Sequence, residues 1–367
     1  MRAYINYNKV YVGWLLLLVV LLSVACSGDS EDPAASRDEA TLQLVVYTKE
    51  LSDPQVSPTR AIPAGYSQYP AADDENVNHI GVYMTTAEMA DAPGMGTFFY
   101  ANGKWNSLVS VKPEVEYFIY GFMPSDISTC TVAKVGSDFS KGARLTLEDI
   151  PPVSLKDLCI ITAVQDMNSE DDDIDLTTGH FNYTGKAKDE KNQVSLMFVH
   201  AFAAVRMEMK VEEEYAKLRD IRLKEVRLRS GYIYAHKGKF TFTNNNRVSD
   251  WSEPSRQLTS EEREGVTLFS NETGEDLSSE TAKVFEGYWI PVEVNKNNLY
   301  LHSRYDVYDK KGNLVRKNCY AENRLPPNKL SSSMGSRTKF NLIVRPTYLY
   351  VLSEPDLDNP TIEVRSE

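Results

Sequence analysis

The residues that could do chemistry in this chain are its histidines, its clustered acids and its few cysteines. The five histidines, His79, His180, His200, His236 and His302, show no H-E-x-x-H or other metal-binding interval. His200 lies in the most apolar run of the chain, where a hydrogen-bonded core imidazole is expected in preference to a ligand. Asp171, Asp173 and Asp175 have the first three positions of a calcium loop, but Leu176 stands where that loop needs glycine and Asn182 where it needs a bidentate glutamate. The acidic run 170–175 therefore reads as a solvated loop, with weak calcium binding as the alternative. No G-x-S-x-G elbow occurs, and Gly94-Met95-Gly96 lacks the third glycine of a dinucleotide loop and precedes a strand. Carboxylates that meet only in the folded chain stay open. The expectation is a protein without catalytic residues, metal ligands or cofactor, and not an enzyme.

Two positions invite covalent chemistry instead. Cys26 follows a basic start with Arg2 and Lys9, an apolar run from Val10 to Leu22, and Ser23-Val24-Ala25. Small residues there suit a signal peptidase, and the arrangement resembles a bacterial lipoprotein signal (residues 1–25) in which the cysteine becomes the acylated N-terminus. Ser23 departs from that pattern, which places leucine three residues before the cysteine. An uncleaved membrane anchor is the alternative, but the run is short for a spanning helix of about 20 residues. Arg60-Ala61 lies in the loop 49–65, where SDPQVSPTRAIPAG carries three prolines that cannot join a sheet interior. An arginine so placed is open to a trypsin-like protease; Arg37 is another candidate, and an ordinary loop arginine the bland reading.

The whole chain has 367 residues, which suggests two domains once a leader is removed. Its formal charge of −12, with no compensating basic stripe, argues against a nucleic-acid partner. Beyond Cys26, three thiols remain, Cys130, Cys159 and Cys319, and Cys159 lies in an apolar run, so no structural disulfide is expected. Residues 26–40 are small and acidic and read as a tether.

The elements that must position everything else are strands. Val194–Val211, VSLMFVHAFAAVRMEMKV, is apolar in its first half and alternates in its second, as a strand does when it leaves a doubly covered sheet and gains one wet face. A helix continuing into 212–220 is the rival reading. Leu42–Thr48 is the first strand. Short strands follow at 79–84, 96–100, 117–122, 143–147 and 158–164, with an Asn102-Gly103 turn before Trp105. After a polar boundary at 184–193, further strands run from Ile221 to Leu352. The alternation slips between Leu223 and Val226, where a bulge is expected; 255–277 reads as a polar insertion and 356–367 as a polar end. Such spacing argues for antiparallel β-sandwiches. The expected domains are 41–185 and 190–367, with a terminal strand at 348–352.

Leu196, Phe198, His200, Ala201, Ala203, Val205 and Met207, together with the two ends of the chain, resemble the fimbrillin family of Bacteroidales pilus subunits. The series Tyr83, Trp105, Tyr117, Tyr120 is similar to that family's N-terminal domain. The resemblance implies an all-β fold of two transthyretin-like sandwiches in tandem and a role as structural or adhesive subunit of a cell-surface fimbria. It also implies lipidation at Cys26, anchoring in the outer membrane, and cleavage after Arg60 so that Ala61 becomes the first residue. Assembly would then proceed by donor-strand exchange with other fimbrial subunits, the donor coming from the C-terminal region, here Tyr348–Leu352 and the residues beyond it. The acidic residues after Cys26 resemble a surface-export signal in Bacteroidetes lipoproteins; a generic spacer is the alternative. Stalk, tip and anchor positions remain open, as does a host protein or glycan ligand. The many strand tyrosines keep a second function class in view, a surface-exposed glycan-binding lipoprotein that retains its first strand and binds sugar as a monomer.

Overall fold

Strands make up most of the described residues of the computed structural model, which describes residues 39–51, 65–71, 77–166, 180–243, 246–348 and 355–366. Cys26, Arg37, Arg60, Ala61, the acidic run 170–175 and positions 349–352 of the expected terminal strand lie outside the described residues. The α-helices among the described residues are the single turns Glu213–Ala216, Ser260–Arg263 and Glu293–Lys296.

Ala40–Glu367 forms one unit with two apolar cores. The first is faced by a nine-stranded sheet. From its edge inward that sheet runs Tyr66–Tyr69, Gln43–Lys49, Gln193–His200, Cys159–Asp166, Glu116–Met123, Ile80–Thr85, Gly96–Ala101 and Lys104–Asn106, with Asn182–Thr184 pairing the Glu116–Met123 strand. The opposite face comes from the strands Asn246–Gln257, Tyr234–Thr243, Ala143–Ile150 and Cys130–Lys134, which bring Phe240, Phe242, Trp251, Leu145 and Leu147 into the same core. The second core lies between a five-stranded sheet (Val153–Ser154, Lys283–Trp289, Ala203–Val211, Arg337–Tyr348, Pro355–Ser366) and a four-stranded one (Val266–Asp276, Arg219–Ser230, Leu299–Asp309, Leu314–Arg324). Two sheets closing on each core is the sandwich that the period-2 patterning implies.

The Val194–Val211 stretch is extended, as its β-branched and aromatic residues favour, but it is two strands. Gln193–His200 belongs to the first core and Ala203–Val211 to the second, with the break at Ala201-Phe202. The corner is fastened by backbone bonds: Ala201 N to Leu158 O at 2.7 Å, Ala204 N to Ser336 O at 2.8 Å and Gly335 N to Phe202 O at 2.8 Å. Phe202, fully buried, packs on Trp251 with ring centroids 5.7 Å apart. The passage from one core to the other thus falls at 201–202, downstream of the polar stretch 184–193. The hairpin of Tyr234–Thr243 and Asn246–Gln257 crosses back to the first core, because its alternating Phe240, Phe242 and Trp251 have an apolar face to cover.

To the antiparallel pattern each large sheet adds one parallel pair, Gln43–Lys49 beside Gln193–His200 and Ala203–Val211 beside Arg337–Tyr348. Asn102 and Gly103 take positive φ angles of 54° and 74° in the expected hairpin turn. The expected slip is a register shift between Leu223 and Glu225. Two segments read as polar connections are strands: Val266–Asp276, half-exposed at the edge of its sheet, and Pro355–Ser366 at the edge of the five-stranded sheet. Edge strands need only one apolar face and tolerate charge, so composition hides them.

Candidate functional site

The candidate site is the bed in which the leading strand Gln43–Lys49 lies. Leu42, Leu44 and Val46 point inward at 1%, 6% and 1% exposure, whereas Gln43 and Lys49 face solvent and Val45 is half-buried. This i, i+2, i+4 alternation locks the register, since a one-residue slip would expose all three apolar side chains. On one side the strand pairs in parallel from Gln43↔Gln193 to Thr48↔Phe198; on the other it pairs antiparallel from Val46↔Tyr69 to Lys49↔Tyr66. Just upstream, Ala40 and Thr41 pair with Val111 and Ser110, and Leu42 N donates to Val109 O at 3.0 Å.

Both ends of the bed are pinned. At the start, Gln43 N donates to Asn192 O at 2.8 Å. Asn192 is buried and saturated: its Oδ1 accepts from Tyr183 Oη and Lys186 N, both at 2.8 Å, and its Nδ2 donates to Lys186 O at 3.2 Å and Ala187 O at 3.3 Å. One amide thereby organises the polar stretch 185–192 into the rim from which the next strand springs. At the far end His200 Nε2 meets the carbonyl oxygen of Lys49, and its Nδ1 meets Asp157 Oδ2. Glu50 N closes the turn onto Gly65 O at 2.7 Å. Burial pushes the Asp157 carboxyl upward against the opposing pull of His200. Burial, followed by the Asp157 charge, pushes the Tyr288 phenol up as well.

Cys159 stands beside this pair, its Sγ 3.5 Å from His200 Nδ1 and 3.9 Å from Asp157 Oδ2. These residue types are those of a nucleophilic triad, but the geometry is not. A triad uses one imidazole nitrogen for the nucleophile and the other for the carboxylate; here both partners converge on Nδ1 while Nε2 is committed to a backbone carbonyl. Burial also raises the thiol far above its ordinary range, so it is not a thiolate. His200 is thus the hydrogen-bonded histidine that its apolar setting predicts, and its partners are what the sequence could not name. Cys130, Cys159 and Cys319 are free thiols.

Elsewhere, a cleft of about 730 Å³ is lined by Glu208, Lys210, Glu212, Glu213 and Arg365 among others, with no aromatic ring among the described residues of its wall. An exposed stack of Tyr320 on His302, centroids 5.6 Å apart and 7° from parallel, lies on the four-stranded sheet of the second core. Among the described residues no helix is long and apolar enough to cross a membrane.

No protein-family profile and no curated protein matches the chain. Solved structures do. A fimbrial protein from Bacteroides vulgatus aligns at 15% identity and TM-score 0.39, over 89% of this chain and 98% of its own. A candidate cell adhesion protein from Bacteroides fragilis aligns at 9% identity and TM-score 0.44, over 90% and 98%. The fimbrial anchor protein Mfa2 from Porphyromonas gingivalis aligns at 9% identity and TM-score 0.29, over 89% and 98%.

Proposed function

We propose that this chain is a structural or adhesive subunit of a cell-surface fimbria, lipidated at Cys26 and held at the outer membrane until a cut after Arg60 frees its leading strand. The observation that carries the reading is the state of that strand. It contributes Leu42, Leu44 and Val46 to the first core and is hydrogen-bonded on both sides, yet its only covalent link onward is the proline-rich segment that contains Arg60.

Once that link is cut, nothing but non-covalent contacts holds the strand. Its departure opens the N–H and C=O groups of Gln193–His200 and an apolar trough shaped for side chains at alternate positions. A strand from a neighbouring subunit matches both the backbone and the side-chain requirement. Because donor and acceptor lie at different places on each subunit, the contact is head-to-tail and propagates as a filament. The C-terminal strand Pro355–Ser366 sits at a sheet edge, with Ile362 buried and Val364 half-buried against the second core, which is where a segment able to leave its own sheet is expected.

N-terminal sequencing of the protein recovered from the cell surface in polymerised form tests this reading. Ala61 as first residue is the expected result. An acylated Cys26 retained on the polymer refutes strand release.

A further inference from the structure

Independently of strand release, we propose that Asp157, Cys159 and His200 form a binding site for a thiophilic divalent cation, with Zn²⁺ the best fit. Cys159 opens the strand Cys159–Asp166, His200 closes Gln193–His200, and the two are direct cross-strand partners. Asp157 precedes Cys159 by two residues, so the strand ends deliver three different donor types to one point, their ligand atoms all within 4.8 Å of one another.

Three features favour a cation there. The first is the imidazole's orientation. With Nε2 facing the Lys49 carbonyl, the ring hydrogen belongs on Nε2 and the lone pair on Nδ1, which then faces a carboxylate oxygen and a sulfur. The Cys159 thiol donates to Asp157 Oδ2, but the Nδ1 lone pair still faces the carboxylate, and that contact requires a cation between the two atoms, a proton or a metal. A histidine that gives its other N–H to a backbone carbonyl is also the arrangement that orients metal-bound imidazoles.

The second is spacing. Tetrahedral zinc, with bonds of about 2.3 Å to sulfur and about 2.0 Å to nitrogen, separates those donors by about 3.5 Å. Sγ and Nδ1 are 3.5 Å apart, and Sγ and Oδ2 3.9 Å. Asp157 and His200 stand at hydrogen-bonding contact and need a small side-chain rotation to admit the ion.

The third is what a simple histidine–aspartate pair leaves unexplained. Asp157 Oδ1 is buried without a hydrogen-bond partner, and the adjoining thiol reaches the pair only through a long contact of 3.9 Å to Asp157 Oδ2. A metal uses both: thiolate, imidazole and carboxylate supply three ligands, and Oδ1 or a water the fourth. Thiolate with imidazole selects zinc over calcium or magnesium. Zinc takes the sulfur as thiolate, so binding releases the Cys159 proton.

Cobalt(II), an optically visible stand-in for zinc, tests the site on the purified full chain. One equivalent is expected to produce a near-ultraviolet thiolate-to-cobalt absorption, abolished by excess Zn²⁺, lost in Cys159→Ser, and kept in Cys130→Ser and Cys319→Ser. Zn²⁺ should raise the melting temperature of the parent chain and leave that of a folded Cys159→Ser chain unchanged. Absence of the thiolate band, its persistence in Cys159→Ser, or a Zn²⁺ effect equal in both chains, which is an adventitious ion only, overturns the proposal.

Discussion

Replacing Leu42 by alanine asks whether the leading strand is part of the first core or laid over it. Leu42 keeps 1% of its surface and belongs to the cluster that contains Leu196, Phe198 and Ile161. Truncation removes three carbon groups, worth about 2.4 kcal/mol in transfer free energy. The cavity term adds to this because neighbours fixed in a sheet relax only partly, so the loss should come to about 3 kcal/mol. Gln43→Ala, one residue on and facing solvent, should stay within about 0.5 kcal/mol. Urea denaturation gives the totals, and hydrogen exchange read by mass spectrometry gives the location. Amides of Gln193–His200 and Cys159–Asp166 should exchange faster in Leu42→Ala, on the order of 100-fold, which is what about 3 kcal/mol amounts to. A Leu42→Ala loss no larger than that of Gln43→Ala would refute the assignment of this strand to the core. With it would fall the idea that its departure leaves a trough needing to be refilled.

Gly121→Ala places a Cβ 2.1 Å from the backbone oxygen of Gly81, which cannot give way as a side-chain tip can. A loss of at least about 2 kcal/mol is expected by thermal melting, and an unchanged melting temperature would show that the strands Glu116–Met123 and Ile80–Thr85 do not approach so closely. Lys224 and Asp306 form a buried ion pair at 2.7 Å, with side chains 7% and 4% exposed. Burial alone would raise the Asp306 carboxyl, but the Asn318 N–H at 2.7 Å and the Lys224 ammonium outweigh it and hold it below the usual range. A depressed folded value means stability that is complete above the unfolded value of about 3.9 and is lost as pH falls through the folded one. Asp306→Ala should cost about 3–5 kcal/mol at neutral pH and flatten that acid limb, whereas Lys224→Met with Asp306→Leu should come near neutral. A double variant as unstable as the single would show that the pair itself, not the stranded charge, matters.

Strand content was legible because burial in a sheet writes itself as alternation. Leu42, Leu44 and Val46, or Met207, Met209 and Val211, declare an inward face without any knowledge of a partner. What alternation does not carry is which sheet a strand joins. Val194–Val211 reads as one element because nothing in Ala201-Phe202 is a turn signal; the corner exists because Phe202 fits against Trp251 and Gly335 bonds back to it, contacts made by residues far along the chain. The same holds for the hairpin Tyr234–Gln257, whose apolar face is plain in the sequence but whose assignment to the first core is a property of the assembled layers. The parallel pairs are hidden for a related reason: Gln43–Lys49 and Gln193–His200 are separated by most of a domain, and no local pattern encodes a crossover of that length.

The site divides along the same line. An apolar strand with a proline-rich exit is a local feature, and it marks the leading strand without any knowledge of pairing. His200 was visible only as an imidazole in hydrophobic company. Its meaning depends on Asp157, 43 residues away, and on the carbonyl of Lys49, 151 residues away, a group common to every residue that no composition can single out. Sequence can show that a buried histidine must be satisfied; only the fold shows that one of its nitrogens is satisfied by the leading strand itself. Loss of that strand therefore removes an acceptor from His200 as well as three side chains from the core. The far end of the trough then keeps a polar donor aimed at the position of a backbone carbonyl. Under the proposed function, a strand that refilled the bed would have to meet two requirements at once, apolar residues at alternate positions and an unpaired C=O in register with Lys49.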